Sequence, residues 1–188
     1  VKYDWDNLIP GLMQNEIDAV IAGMTATEDR KEVVNFTDPY YTSQEVVIVR
    51  KDSTLTSITD IQELKGKTVK GQLNTLYDTI IDQINGVKHG TAMESYPSLV
   101  NDLLNRGCDA ITAELPVAEG IVASNPDLTY VTFKEGHGFT ADTSVSIAVK
   151  KDNTELLDKL QKALNAISED ERQQMMLEAV ERQPAVNE

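Results

Sequence analysis

The segment Ala22-Gly-Met-Thr-Ala-Thr-Glu-Asp-Arg30, followed by Asn35-Phe-Thr-Asp-Pro-Tyr-Tyr41, carries most of the information about this chain. A short apolar strand, Asp18–Met24, is predicted to run into a threonine-rich turn, where Thr27 can cap a helix whose first turn holds Arg30. The unpaired amides of a helix start and the planar fork of an arginine both bind carboxylates. The segment therefore predicts a carboxylate-binding turn.

The composition is that of a globular protein with a strong acidic excess. Hydrophobic residues make up 40% of the chain and charged residues 26%, and the net charge is -14. This balance leaves no basic surface for nucleic acid or anionic lipid, so such partners are not expected. Apolar stretches such as Ala19–Met24 are much shorter than the about 20 residues that cross a bilayer. The chain begins at Val1 without an initiator Met or a leader, and we expect that an upstream segment has been removed.

Strands and helices alternate from Thr68 onward, which is typical of a parallel α/β sheet. The predicted strands are Thr68–Gly71, Val87–Ala92, Cys108–Thr112 and Leu128–Thr132, and the predicted helices between them are Thr75–Asn85, Tyr96–Asn105 and Leu115–Ser124. Just upstream, Thr59–Gln62 has the pattern of a helix-capping box.

Two β-branched, apolar segments flank this alternating block, Gln44–Lys51 before it and Ser144–Lys151 after it. Paired connections of this kind favour a lobe inserted into another lobe, with the two crossovers side by side as a hinge. We therefore expect an inner lobe at residues 45–144 and an outer lobe at residues 1–44 plus 145–188.

Known catalytic and cofactor patterns are missing. His89 and His137 lack the neighbouring ligands that a zinc site needs, and Gly66-Lys67-Thr68 precedes a strand instead of following one, unlike a phosphate-binding loop. Cys108 opens an apolar strand and is expected to be a packed thiol. No catalytic residue, metal or cofactor is predicted.

Opposite charges are predicted at the strand ends of the two lobes. Arg30 follows a strand of the outer lobe, whereas Glu114 ends a strand of the inner lobe, and Gln72, Asn74 and Thr75 follow another inner strand. Ligands of open α/β sheets bind beyond such strand ends, and a free amino acid offers the matching carboxylate and ammonium. Taken singly, Arg30 and Glu114 are also typical of solvated helix starts, and Asn74 and Thr75 of helix caps.

The chain resembles the extracytoplasmic amino-acid-binding proteins that serve ABC importers and have the type II periplasmic binding fold. The matching segments are Trp5-Asp-Asn-Leu-Ile-Pro-Gly-Leu, Asp18-Ala-Val-Ile-Ala-Gly-Met-Thr-Ala-Thr-Glu-Asp-Arg30, Asn35–Tyr41, Leu64-Lys-Gly-Lys, Gln72-Leu-Asn-Thr75 and Asp109-Ala-Ile-Thr-Ala-Glu-Leu-Pro116-Val-Ala. The resemblance implies an α/β protein of two lobes, each a mainly parallel sheet flanked by helices, with a two-strand hinge.

The resemblance also implies a role for each site residue. Arg30 would hold the α-carboxylate of the ligand, helped by Thr25 and by the backbone at Gly23 and Met24, while Glu114 would take the ammonium. From the inner lobe the contacts would come from Gln72, Asn74 and Thr75, and Trp5, which from the residues alone fits a core equally well, would face the ligand side chain. Many relatives have Asp at the position of Glu114 and glycine at that of Asn74.

The expected function is binding of a polar amino acid in the interlobe cleft and its delivery to a membrane ABC permease, without catalysis and outside the cytoplasm. Glutamine, arginine, lysine, histidine and asparagine all fit this expectation. A periplasmic dehydratase of the same fold and a receptor sensor domain are the alternatives. The first strand, first helix and second strand of the family have no counterpart in the chain, which predicts an incomplete outer lobe and self-association of its open sheet edge.

Overall fold

The computed structural model describes residues 3–182, except for the side chains of Val180 and Glu181. Its described residues divide into two compact units: unit 1 comprises residues 3–43 and 142–178, and unit 2 comprises residues 44–141 and 179–182. The lobe limits expected from the sequence, 44/45 and 144/145, stay a prediction. Residues 1–2 and 183–188 of the predicted outer lobe lie outside the described residues.

Ten strands are found in the described part of the chain. In chain order they are β1 (Ala19–Val20), β2 (Val34–Phe36), β3 (Tyr41–Thr42), β4 (Glu45–Arg50), β5 (Thr68–Lys70), β6 (Lys88–His89), β7 (Ala110–Glu114), β8 (Leu128–Val131), β9 (Ser144–Val145) and β10 (Ala148–Lys150).

Seven α-helices and four short 3-10 helices accompany them within residues 3–182. The α-helices are α1 (Leu8–Met13), α2 (Glu28–Val33), α3 (Leu76–Thr79), α4 (Tyr96–Leu104), α5 (Leu115–Ser124), α6 (Thr154–Asn165) and α7 (Glu169–Glu181). The 3-10 helices are Trp5–Asn7, Thr54–Ser57, Ile61–Leu64 and Ile80–Gln83. None of these helices combines the length and the apolar character that crossing a membrane requires.

Unit 1 contains a three-stranded sheet in the order β1-β10-β2, and both pairs are antiparallel. Its apolar face packs on α1 through a small core that includes Leu12, Val20, Val34 and Ala148. A second, two-stranded ladder joins β3 to β9. There the backbones of Ser43 and Thr143 are also hydrogen-bonded, at 3.2 Å.

Unit 2 contains a five-stranded sheet in the order β6-β5-β7-β4-β8. Strand β4 lies near its centre and alternates between two cores: Val47 and Val49 contribute to the core beneath α3, while Val46 and Ile48 contribute to the core under α4 and α5. Burial on both faces explains why β4 is a nearly continuous apolar run.

The prediction of mainly parallel sheets is wrong in detail, although the α/β class is right. The strands of unit 2 that helices connect run in one direction, with β5 parallel to β6 and to β7, but β4 is antiparallel to both β7 and β8. A βαβ crossover makes only the two strands that it connects parallel. Strand β4 precedes the first crossover in the chain, so its direction is not set in this way. The described strands of unit 1 are all antiparallel.

Two local predictions in unit 2 are also wrong. The helix expected at Thr75–Asn85 is split into α3 and the 3-10 helix Ile80–Gln83, because the β-branched residues Thr79, Ile80 and Ile81 disfavour a continuing α-helix. The capping box lies one residue later than expected, with the Asp60 carboxylate accepting from the Gln62 amide and the Glu63 carboxylate accepting from the Asp60 amide. An ionised carboxylate is the stronger acceptor, so Asp60 caps in place of Thr59.

Candidate ligand-binding site

The turn after β1 is shaped by Gly23 and Met24. Strand β1 ends at Val20, earlier than the predicted Asp18–Met24, because the backbone turns away from the sheet and Gly23 adopts φ +64°, a conformation that favours glycine. The Met24 side chain is only 2% exposed and anchors the turn in the core, while its carbonyl accepts a hydrogen bond from the Ser146 amide at 2.9 Å. The buried Met24 side chain and this hydrogen bond therefore fix the backbone of the turn.

Arg30 is held in a defined position at the start of α2. The Thr27 side chain caps this helix by accepting from the Arg30 amide at 3.4 Å, as the sequence predicts. The Arg30 guanidinium donates to the Thr25 carbonyl at 3.0 Å and lies over the Trp5 ring, 5.5 Å from its centroid. Burial lowers the pKa of Arg30 from its ordinary value, although the side chain stays cationic.

The structure therefore brings Trp5, Thr25 and Arg30 together in unit 1. Trp5 also packs against the core of the unit, as one of its two predicted roles requires, and its contact with a ligand side chain stays a prediction. A residue that sequence reasoning did not select, Tyr40, joins the turn, since its hydroxyl accepts from the Gly23 amide at 3.2 Å. Its place in the matching segment Asn35–Tyr41 was the available signal.

The predicted contact residues of unit 2 form one loop after β5. Gln72 forms a single parallel bridge with Met93 and donates from its side chain to the Glu94 carbonyl at 3.0 Å. Asn74 has φ +59°, a left-handed conformation that glycine and asparagine tolerate better than other residues. The Thr75 side chain, 8% exposed, donates to the Gln72 carbonyl at 2.7 Å and does not cap α3.

This loop is tight because α3 lies against the end of β5. A β-carbon on Gly71 would lie only 2.5 Å from the Cα of Asp78, so only glycine fits at that position. The loop is therefore fixed at the same sheet edge at which the neighbouring parallel strand β7 ends.

Glu114 is the last residue of β7 and directly precedes α5, whose first turn holds Pro116. Its carboxyl does not cap the helix, and burial raises its pKa to about 7. In the described part of the chain no hydrogen bond or ion pair to this carboxyl is found. An acidic group with these properties can accept a proton near neutral pH or bind a cation supplied from outside the protein.

Three further titratable groups surround Glu114, and sequence reasoning missed all of them. Glu45 lies directly opposite Glu114 on β4, and burial raises the pKa of its carboxyl. The pKa values of Tyr77 and Tyr96 are raised first by burial and then by the Glu114 charge. The only available signal was Glu45 itself, a charged residue at the head of the apolar run Val46–Val49.

Comparison with known proteins identifies the family. The model of the bacterial extracellular solute-binding proteins, family 3, matches residues 1–179. ABC transporter arginine-binding protein 1 of Escherichia coli (strain K12) is 35% identical over 169 residues, which are 90% of this chain and 68% of that protein. The arginine-binding extracellular protein ArtP of Bacillus subtilis (strain 168) is 34% identical over 169 residues, 88% of this chain and 64% of that protein.

A solved structure shows the same fold. The amino acid ABC transporter substrate-binding protein AbpA from Streptococcus pneumoniae, bound to L-arginine, is 28% identical with a TM-score of 0.83, and the match covers 96% of this chain and 75% of that one. The chain spans about two thirds of the length of the two curated relatives, 68% and 64%. The two-lobe type II fold predicted from the sequence is confirmed. The chain belongs to the bacterial extracellular solute-binding proteins of family 3, and its place is therefore outside the cytoplasm.

Proposed function

We propose that this chain binds a free L-amino acid with a polar side chain and delivers it to an ABC importer in the membrane. One observation carries the proposal: unit 1 holds an anchored guanidinium at Arg30, and unit 2 holds a buried carboxyl at Glu114 without a described partner. An amino acid carries the two complementary charges on one carbon atom. The names of relatives, arginine-binding proteins of transporters among them, agree with this chemistry.

The α-carboxylate of the ligand is assigned to unit 1. Arg30 can offer two parallel N–H groups to a carboxylate, and its contacts with Thr25 and Trp5 hold the guanidinium plane in one orientation. The backbone at Gly23 and Met24 and the side chain of Thr25 would add donors around the same carboxylate. Because these groups are held by the core, little side-chain entropy is lost when the ligand binds.

The α-ammonium of the ligand is assigned to Glu114 in unit 2. An ammonium stabilises the ionised carboxyl that burial disfavours, so the interaction removes a penalty already present in the ligand-free protein. Gln72, Asn74 and Thr75 would hold the ligand from the loop after β5. Each charge-assisted contact contributes about 1.5–3 kcal/mol, so the proposal requires both units to act on one molecule for tight binding.

We propose that the chain performs no chemistry on this ligand. The relatives are named for binding and transport. The role assigned to Glu114, binding of an ammonium, leaves the candidate site without an acid or base directed at a substrate carbon. Recovery of the chemically unchanged amino acid after prolonged incubation would support this part of the proposal, and a new product would contradict it.

A thermal-shift screen of the common amino acids is the experiment that tests the function. A ligand present at 100 times its dissociation constant stabilises the folded protein by about 2.7 kcal/mol, which raises the melting temperature by several degrees. We expect such a shift for at least one polar amino acid and none for its decarboxylated amine, which lacks the group that Arg30 binds. A flat response to every amino acid would contradict the proposed function.

We also propose that unit 1 self-associates through its open sheet edge. Strand β1 is an edge of the sheet β1-β10-β2, and Ile21, which follows it, is 63% exposed. An unpaired edge beside an exposed apolar side chain favours pairing with a second copy. Light scattering is expected to show a molecular mass that rises with protein concentration. At the same concentration, the Ile21→Lys variant should have a lower mass than the wild type. A single monomer mass up to high concentration would contradict this proposal.

A further inference from the structure

Glu45 and Glu114 are an opposed pair across two central strands of unit 2. The register of β4 and β7 places Glu45 against Glu114, followed by Val47 against Thr112 and Val49 against Ala110. Directly opposed residues of an antiparallel pair point to the same face of the sheet, with β-carbons about 4.5–5.5 Å apart. This is the face on which Val47, Val49 and Ala110 join the core and against which Tyr77 packs.

Other partly buried carboxyls of unit 2 have partners inside the protein, but this pair has none among residues 3–182. The Asp102 carboxylate accepts a hydrogen bond from the Lys70 ammonium at 2.8 Å. No described Lys or Arg forms an ion pair with Glu45 or Glu114. Two carboxyls that are partly removed from water on one face of a sheet are hard to ionise, because burial disfavours their charged form unless positive charge arrives from a ligand.

An amino acid with a neutral side chain would satisfy only half of this pair. Its ammonium neutralises one carboxyl, and the other must either keep a proton or remain ionised without a partner. A ligand with a second positive charge at the end of its side chain would satisfy both. The nearby tyrosine side chains, Tyr77 on this face and Tyr96 in the core of the opposite face, carry no positive charge and cannot replace that second cation.

We infer that Glu45 is a specificity-determining residue that selects, for the proposed amino-acid site, ligands whose side chain ends in an alkylammonium or guanidinium group. The inference rests on the proposed function, in which Glu114 takes the α-ammonium. It adds a role for Glu45 and narrows the polar amino acids to lysine, ornithine and arginine. The observation that carries it is the register that opposes two acidic residues, with no ion pair to either from a Lys or Arg among residues 3–182.

Calorimetry with arginine and citrulline tests the inference, because citrulline keeps the shape of arginine but has an uncharged side-chain end. The wild-type chain is expected to bind arginine about tenfold to a hundredfold more tightly than citrulline, the effect of one hydrogen-bonded charge. Glu45→Gln should reduce this ratio to near one, mainly by weakening arginine. The matched control is Glu135→Gln, which removes the same charge from an exposed loop of unit 2 and should leave the ratio unchanged.

The outcomes separate the inference from the proposed function. Equal wild-type affinity for arginine and citrulline, or an equal loss of both in Glu45→Gln, would overturn the inference while leaving amino-acid binding intact. The second result would mean that Glu45 acts on the α-ammonium, which the two ligands share. Absence of binding for every amino acid would instead overturn the proposed function. Retained citrulline binding shows that Glu45→Gln is folded.

Discussion

Replacing Glu114 with glutamine is expected to stabilise the ligand-free protein by up to about 3 kcal/mol at pH 8 and to abolish amino-acid binding. Burial raises the pKa of this carboxyl from 4.5 to about 7 in the folded state. Each unit of such a difference corresponds to about 1.4 kcal/mol between the two protonation states. Glutamine has the shape of the protonated acid without its ionisation, so it removes the penalty that the folded protein carries at alkaline pH.

The sign of the pH dependence follows from proton linkage. The folded state holds the Glu114 proton up to about pH 7, whereas the unfolded chain releases it near its ordinary value of 4.5. Folding therefore binds a proton within this window, and the contribution of Glu114 to stability declines as the pH rises through it and levels off above it. The groups facing Glu114 are Glu45, Tyr77 and Tyr96, and both tyrosines stay protonated in this range.

Urea unfolding of the ligand-free proteins between about pH 5 and pH 8 measures this effect. The difference in unfolding free energy between Glu114→Gln and wild type should grow with pH, while Glu135→Gln should run parallel to wild type. Amino-acid affinity should depend on pH in the opposite direction to stability. The affinity of the wild type should fall by up to tenfold for each pH unit below the pKa of Glu114, because the protonated carboxyl cannot pair with an ammonium. A pH-independent difference, or retained binding in Glu114→Gln, would contradict the assigned role.

The sequence predicted the groups whose position depends on local structure. The Thr27 cap and the position of Glu114 between β7 and α5 follow from short-range patterns, namely a capping residue and a strand followed by Pro116, whereas the strand predicted through Gly23 ends at Val20. Such patterns are readable because they are set by residues three or four positions apart. They were sufficient to locate one charged residue of the candidate site in each unit, Arg30 in unit 1 and Glu114 in unit 2.

The residue opposite Glu114 could not be predicted, because its position depends on the pairing of distant strands. Glu45 is far from Glu114 in the sequence and opposes it only because β4 inserts between β7 and β8 and runs antiparallel to both. The apolar run Val46–Val49 predicts a buried strand but neither its neighbours nor its direction, since burial on both faces removes the alternation that fixes register. The contacts of Arg30 with Trp5 likewise depend on tertiary packing.

Replacing Arg30 with alanine is expected to weaken amino-acid binding at least a hundredfold with little change in the stability of the ligand-free protein. The loss in binding combines two charge-assisted hydrogen bonds to the carboxylate, each about 1.5–3 kcal/mol, with an anionic ligand group left unpaired in the site. Stability should change little, because the partial desolvation of the guanidinium offsets its bond to the Thr25 carbonyl and its contact with Trp5. Calorimetric titration and urea unfolding measure the two quantities separately.

Arg30→Lys and Lys31→Ala make this test specific. Lysine keeps the positive charge but is a single point donor, so it cannot contact the Thr25 carbonyl and both carboxylate oxygens in one plane, and we expect it to recover only a minor part of the affinity. Lys31 lies next to Arg30 on α2, where its ammonium pairs with exposed Glu28, and its removal should leave binding unchanged. If Arg30→Lys bound the amino acid as tightly as the wild type, positive charge alone would be sufficient for binding, and the planar guanidinium of Arg30 would have no specific role. If Lys31→Ala weakened binding as much as Arg30→Ala, the effect of both would be attraction by net charge, and Arg30 would lose its assignment as the group that holds the carboxylate.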